Sequence, residues 1–454
     1  MVPYRVLVVD DSGFMRKIIS DLIIQDPKFT IVATAVNGQE AIEAVRELKP
    51  DAVTLDLEMP LMNGIEALQA IMRENPTPII MLSGISEDNT RETIKALQFG
   101  AFDFIRKPSS AVSNDIHQVG EVLLEKLRIA VLTKRHQPVI TINEKSKPIT
   151  IEVEVEEAKK QVSSDMPKPL QPVKPILPAQ AAEPPSRDKP LSPKPVEKLG
   201  TQRSPSSIHT KKSMIPEAAA PSKDKPAITT RSPVDKTSIA VVKPIVTEPP
   251  VVKKGKVSGT TAAFKHIVAI GTSTGGPRAL HEVITSLPGD FPAPVLIVQH
   301  MPPKFTKSLA QRLDSFSELH VVEAEQGERV VVGKVYIAPG AFHMELAKDA
   351  SGYYIALTEQ PQRNGHRPSV DVLFESLLPI RDLKRHAVIM TGMGSDGAKG
   401  MKQLVQSGVE TTIAEAEETC VVYGMPRSAV EAGCVSQIVP LQNIASQLVQ
   451  AVLK

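Results

Sequence analysis

Two stretches of the chain alternate short apolar runs with amphipathic helical patterns, and one long stretch between them does neither. In the first, Arg5–Val9, Thr30–Ala35, Ala52–Leu55, Ile79–Leu82 and Phe102–Ile105 have the length and branching of buried strands. A helical repeat follows each of them: Phe14–Ile24, Gln39–Leu48, Ile65–Asn75, Asn89–Phe99 and Ile116–Leu132. Five such units in succession predict a doubly wound, five-stranded parallel sheet with right-handed crossovers. From Phe264 the α/β alternation resumes, with strand-like runs at Ile267–Ile270, Val295–Val298 and Ala387–Met390. Phe342–Glu359 alternates with period two around Ser351-Gly352 and predicts a β-hairpin inserted into a second doubly wound α/β domain.

The middle stretch holds about half of the chain's 39 prolines and no aromatic residue. Rich in Lys, Ser and Glu, it lacks the apolar surface to offset its ordering entropy, so a disordered, partly polyproline linker is expected. The one element it could carry is a short strand near Ile149–Val155. The expected organisation is therefore domain 1–132, linker 133–263 and domain 264–454.

Composition removes several classes of function. Lys and Arg number 53 against 51 Asp and Glu, for a net charge of +2, so no basic field argues for nucleic acid. The apolar runs are too short to span a bilayer, and the first residues, MVPYRVLVVDD, do not read as a signal peptide. Two cysteines, Cys420 and Cys434, point to a reducing cytoplasm without a disulfide framework. Cys420 lies among Glu415, Glu417 and Glu418, whose charges disfavour a thiolate nucleophile.

Doubly wound sheets bind ligands beyond the carboxyl ends of their strands. In the first domain those ends carry Asp10 and Asp11, Asp56, Ser83 and Lys107. Any one aspartate reads as a strand end or helix cap, but five matching positions read as a site. Three converging carboxylates would raise one another's pKa, and a hard divalent cation such as Mg²⁺ resolves the conflict. VVDD, LDLEMPLMNG, MLSG and the Lys-Pro pair resemble the receiver domain of two-component response regulators. That resemblance implies Asp56 as phospho-acceptor, with Asp10 and Asp11 completing its Mg²⁺ site. It further implies Lys107 on the phosphoryl group, Ser83 as the switch hydroxyl and Phe104 at the switch aromatic position.

In the second domain HIVAIGTSTGGPRAL reads as strand, glycine turn, helix, with Pro277 in the first helical turn. Glycines at 271 and 275 would permit a strained turn that lifts Ser273 over the sheet edge, with the Thr274 amide aimed at an oxyanion. Taken alone, the same residues equally describe a tight βα turn or a phosphate cradle, although no lysine follows the glycines as in a P-loop. The runs ending near His300 and Asp396 change the balance. If the three strands are parallel neighbours, a nucleophile, a base and its orienting carboxylate meet at one edge. His266, His281, His320, His343, His366 and His386 have no comparable placement and read as surface or packing residues.

GTSTGGP, QHMPPKFTKSLAQRL, YIAPG, HRPSVDVLFES, TGMGSDGAKGM and YGMPRSA resemble the catalytic domain of chemotaxis protein-glutamate methylesterases. The resemblance implies Ser273 as nucleophile, His300 as base, Asp396 as its partner, and backbone amides at Thr274 and Met393 as the oxyanion region. It implies a cytoplasmic enzyme whose substrates are methylated chemoreceptor helices, with some receptor glutamines also deamidated. The phosphodonor would be the chemotaxis histidine kinase, and no cofactor is expected in the catalytic domain. Two other classes remain at this stage: a regulator whose second domain only binds a ligand, and a DNA-binding regulator. The second has no basic recognition helix to support it.

Overall fold

The computed structural model describes residues 2–108, 113–133 and 264–454. The expected linker, with its possible strand at Ile149–Val155, lies outside the described residues apart from Thr133.

The N-terminal sheet contains β1 (Tyr4–Val9), β2 (Phe29–Ala35), β3 (Ala52–Asp56), β4 (Ile79–Ser83) and β5 (Asp103–Arg106). They pair in the order β2-β1-β3-β4-β5, all parallel. The alternating strand residues divide between two apolar layers. Leu7, Val9, Val53 and Leu55 face one way, and Val6, Val8, Ile80 and Leu82 the other. The first layer is covered by α2 (Gly38–Leu48), α3 (Gly64–Glu74) and α4 (Glu87–Gln98), the second by α1 (Gly13–Ile23) and α5 (Ser113–Thr133). Side-chain caps at Ser12, Asn37, Asn63 and Ser86 start α1 to α4. At Asn63 a full capping box with Glu66 fixes the loop that follows Asp56.

The C-terminal sheet has seven parallel strands, built from β6 (His266–Thr272), β7 (Val295–Gln299), β8 (His320–Glu323), β9 (Lys334–Ile337), β12 (Lys384–Ile389), β13 (Thr411–Glu415) and β14 (Gln437–Val439). Their order is β14-β13-β12-β6-β7-β9-β8. The expected hairpin is present as antiparallel β10 (His343–Asp349) and β11 (Gly352–Thr358), a separate two-stranded sheet. One face of the large sheet packs on α6 (Gly276–Thr285), α7 (Phe305–Asp314) and α11 (Leu441–Leu453). The other packs on α8 (Val370–Ser376), α9 (Ala398–Gln406) and α10 (Met425–Glu431).

From β6 the chain winds outward through β7 to β9 and β8, then returns to add β12, β13 and β14 on the other side. The winding direction therefore reverses between β6 and β12, which is where an α/β sheet opens a crevice. No helix among the described residues is long and apolar enough to cross a membrane.

Candidate active site

The serine turn differs from its expected form in one respect. β6 runs on to Thr272, so Gly271 lies inside the strand rather than in the turn. A Cβ at Gly271 would come within 2.3 Å of Val370 Cγ1, so its role is to admit the segment leading into α8. Ser273 is not left-handed; the positive φ falls on Gly275, at +81°. A side chain at Gly275 would also meet Val421 Cβ at 2.6 Å. Ser273 N donates to Thr391 O at 3.1 Å, which ties the turn to the strand end of β12.

His300 follows β7, and its amide donates to Thr272 O at 3.1 Å, so the serine and the histidine stand side by side at the carboxyl edge. Gln299, buried between the two loops, donates from Nε2 to Ser273 O at 2.9 Å and to His300 O at 3.3 Å. Its Oε1 accepts from Thr272 Oγ1 at 2.7 Å. The His300 ring lies with Nε2 2.9 Å from Asp396 Oδ2. Its Nδ1 is buried and has no hydrogen-bond partner. No hydrogen bond joins His300 to Ser273.

Asp396 sits in a socket that the sequence did not reveal. Besides His300, it accepts from Asn364 Nδ2 (2.7 Å), Ser369 Oγ (2.9 Å), Val370 N (2.7 Å) and Asp371 N (3.3 Å). Burial alone would raise its pKa, but the His300 hydrogen bond and charge, with Val370 and Asn364, hold it well below the usual carboxylate range. Asp371 in turn accepts from Gly397 N and Gly400 N, so one carboxylate orients the other's loop and the start of α9. Of the two roles expected for it, surface or packing, His366 takes the second, half-buried against this site. Its ring stacks on His300 with centroids 3.7 Å apart and planes 11° from parallel.

Thr274 is buried beside Ser273. Met393 follows Gly392, where a Cβ would lie 2.8 Å from Ser273 Cβ, so its loop presses directly on the serine. The Thr274 and Met393 amides carry no hydrogen bond among the described residues.

At the N-terminal sheet edge, the oxygens of Asp10, Asp11 and Asp56 lie within 4.8 Å of one another. Lys107 Nζ reaches Asp10 at 2.8 Å and Asp56 at 2.7 Å. Burial pushes the Asp56 carboxyl up to about 6, against the opposing pull of Lys107. Ser83 Oγ, fully buried, is 2.6 Å from Thr93 Oγ1 on α4. A groove of about 620 Å³ opens beside Asp11, lined among others by Glu58, Met59 and Asn63.

Comparison with known proteins decides between the classes left open. Residues 268–448 match the family model described as CheB methylesterase, and residues 6–118 match the response regulator receiver domain. The chain is 39% identical to the protein-glutamate methylesterase/protein-glutamine glutaminase of Geobacillus kaustophilus, over 100% of this chain and 99% of the relative. The protein of that name from Bacillus subtilis is 37% identical over 99% of both chains. The chain belongs to the CheB methylesterase family. It is a response regulator methylesterase, a receiver followed by a hydrolase. The crystal structure of the Thermotoga maritima CheB methylesterase catalytic domain is 49% identical, covering 41% of this chain and 99% of its own, with a TM-score of 0.40.

In this CheB methylesterase the receiver and hydrolase belong to one compact unit, and their contact reaches the serine turn. Thr274 Oγ1 donates to Asp103 Oδ2 of the receiver at 2.5 Å, and Lys126 Nζ pairs with that same oxygen at 2.5 Å. Phe104, expected as a receiver switch residue, stacks on Phe305 of α7 with centroids 4.5 Å apart. Thr90 on α4 hydrogen-bonds Ser308 on α7 at 2.7 Å, and Arg312 Nε donates to Gln98 Oε1 at 2.9 Å. A charge-assisted hydrogen bond of this kind contributes about 1.5–3 kcal/mol. Loss of the Thr274–Asp103 bond in Asp103→Ala is therefore expected to raise the hydrolysis rate of the unphosphorylated protein roughly 10- to 100-fold. An unchanged basal rate in the folded variant would show that this bond does not restrain the enzyme.

Proposed function

We propose that Ser273, His300 and Asp396 form the catalytic triad that hydrolyses γ-glutamyl methyl esters on chemoreceptor helices and deamidates selected receptor glutamines. The observation that carries this reading is the buried His300–Asp396 pair, with a second ring nitrogen left unpaired at the serine's sheet edge. As Ser273 Oγ bonds to the ester carbonyl carbon, its proton passes to that nitrogen, and the carbonyl electron pair moves onto oxygen. The amides of Thr274 and Met393 receive the oxyanion. Collapse expels methanol, which takes the proton from His300. Water then attacks the acyl-enzyme by the same base catalysis and releases glutamate. With glutamine the leaving group is ammonia.

The receiver reading assigns Asp56 as the phospho-acceptor, Asp10, Asp11 and Asp56 as Mg²⁺ ligands, Lys107 and Ser83 as contacts of the phosphoryl group, and Phe104 as part of the switch. Three clustered carboxylate oxygens suit a hard cation. What Mg²⁺ supplies when bound is neutralisation of charge on the phosphoryl oxygens. The groove beside Asp11 supports direct access for a phosphodonor, the chemotaxis histidine kinase. The domain bounds 1–132 and 264–454, joined by a linker at 133–263, and a cytoplasmic location complete the reading.

The test is methanol release from methylated receptors with and without a small phosphodonor. Stimulation is expected in the wild type and none in Asp56→Asn. Stimulation that persists in Asp56→Asn would remove the acceptor assignment.

A further inference from the structure

His366 is delivered to His300 by a turn built for the purpose. Arg363 and His366 exchange both backbone hydrogen bonds, at 3.0 and 2.9 Å, around Asn364 and Gly365. Both central residues have positive φ, +54° and +81°, which is the type I′ geometry that Asn-Gly adopts with least strain. The turn serves two members of the proposed triad at once. Asn364 Nδ2 holds Asp396 Oδ1 at 2.7 Å, while the next side chain but one lies flat on the His300 ring.

Two stacked imidazoles 3.7 Å apart cannot both carry a charge cheaply. The groups that act on His366 are His300, Asp396 and, from the receiver, Lys126. Burial first, then the charges of His300 and Lys126 against the opposing Asp396, push His366 down to about 4. At neutral pH it is therefore the uncharged ring of the pair. His300 has its edge held by Asp396 and one face held by His366, so its plane is fixed in two directions.

Resting on the triad reading above, we propose that His366 is a positioning residue for ester hydrolysis. Its uncharged ring face fixes the plane of His300 and stabilises the imidazolium formed when His300 takes the Ser273 proton. The π-face of an uncharged aromatic ring attracts a cation, and a misplaced base loses much of its catalytic effect.

The proposal predicts different outcomes for three substitutions in the full chain, each measured by methanol release across pH. His366→Phe keeps a flat uncharged face and should stay within about threefold of wild-type kcat. His366→Ala should lose roughly 10- to 100-fold in kcat with KM changed by less than about twofold. His366→Arg keeps a flat group but adds a permanent charge. It should lose kcat as Ala does, and its acid limb in kcat/KM should move to lower pH by about one unit. Wild-type kcat in His366→Ala, a His366→Phe as slow as Ala, or a His366→Arg limb that does not move would each overturn the proposal. His300→Gln separates it from the triad reading. If His300→Gln is inactive and His366→Ala is not impaired, only the stacking role falls. If His300→Gln remains active, the triad reading falls and takes the stacking role with it.

Discussion

Ser273→Ala should bring methanol release to background, a loss of at least about 10⁴-fold, because removing the attacking oxygen leaves only binding and oxyanion stabilisation. The same change should leave the fold intact. Ser273 holds its turn through the backbone, with its amide on Thr391 O and its carbonyl accepting from Gln299, and alanine keeps both bonds. The thermal midpoint and the circular dichroism spectrum should therefore match wild type. Phosphorylation at Asp56 should proceed normally, since that site lies at the edge of the other sheet. A fluorophosphonate should label the wild type at Ser273 and fail to label the variant. Substantial esterase activity in purified Ser273→Ala would remove the serine mechanism.

Asp396→Ala should cost both activity and stability, and the two losses have separate causes. Without the carboxylate His300 loses its orienting partner, for an expected fall of about 10³- to 10⁴-fold in kcat. The stability loss comes from the socket. Ser369, Val370 and Asp371, all buried, donate to Asp396, and the variant leaves those donors without their acceptor. Asn364, which is exposed, keeps its bond to Asp371 Oδ2 at 2.8 Å. A penalty of about 3–5 kcal/mol follows, or roughly 10 °C in thermal midpoint for a domain of this size.

The pH dependence has a definite sign. Asp396 is held below its unfolded value, so its contribution is complete above about pH 5 and lost as pH falls below about 4. The alanine variant should lack that part of the acid dependence. Members of a catalytic triad act as one unit, so if the proposed triad holds, adding His300→Gln to Asp396→Ala should reduce kcat by far less than the product of the two single losses. Wild-type stability in Asp396→Ala would show that the socket is not held together by the carboxylate.

The strand ends were the legible part of this chain. Apolar runs of the right length located the five receiver strands and the three that carry Ser273, His300 and Asp396, because burial on both faces leaves a continuous signal. Even the Gly271 misreading has a plain cause: a glycine that admits a neighbouring side chain looks the same in sequence as one that makes a turn. The Asp396 socket was less visible, since its donors lie 25 to 32 residues from the carboxylate in a segment without periodicity. Asn364-Gly365 was a readable turn signal, and Ser369 a readable helix cap, but neither dipeptide nor cap says which side chain it serves. Contacts between the domains left no trace at all. Asp103 and Thr274 are 171 positions apart, and nothing in either neighbourhood marks the other.

The strand order also sets when this enzyme can first exist during its own synthesis. All receiver pairings close within residues 4–106, each strand meeting partners made shortly before or after it. That half can fold while the rest is still on the ribosome. The strand that leads to the serine, β6, cannot do the same, because one of its two neighbours is β12, paired as His266 with Lys384 and made more than a hundred residues later. The carboxylate that orients His300 emerges later still. A nascent chain thus carries a finished signalling module long before it carries a hydrolase.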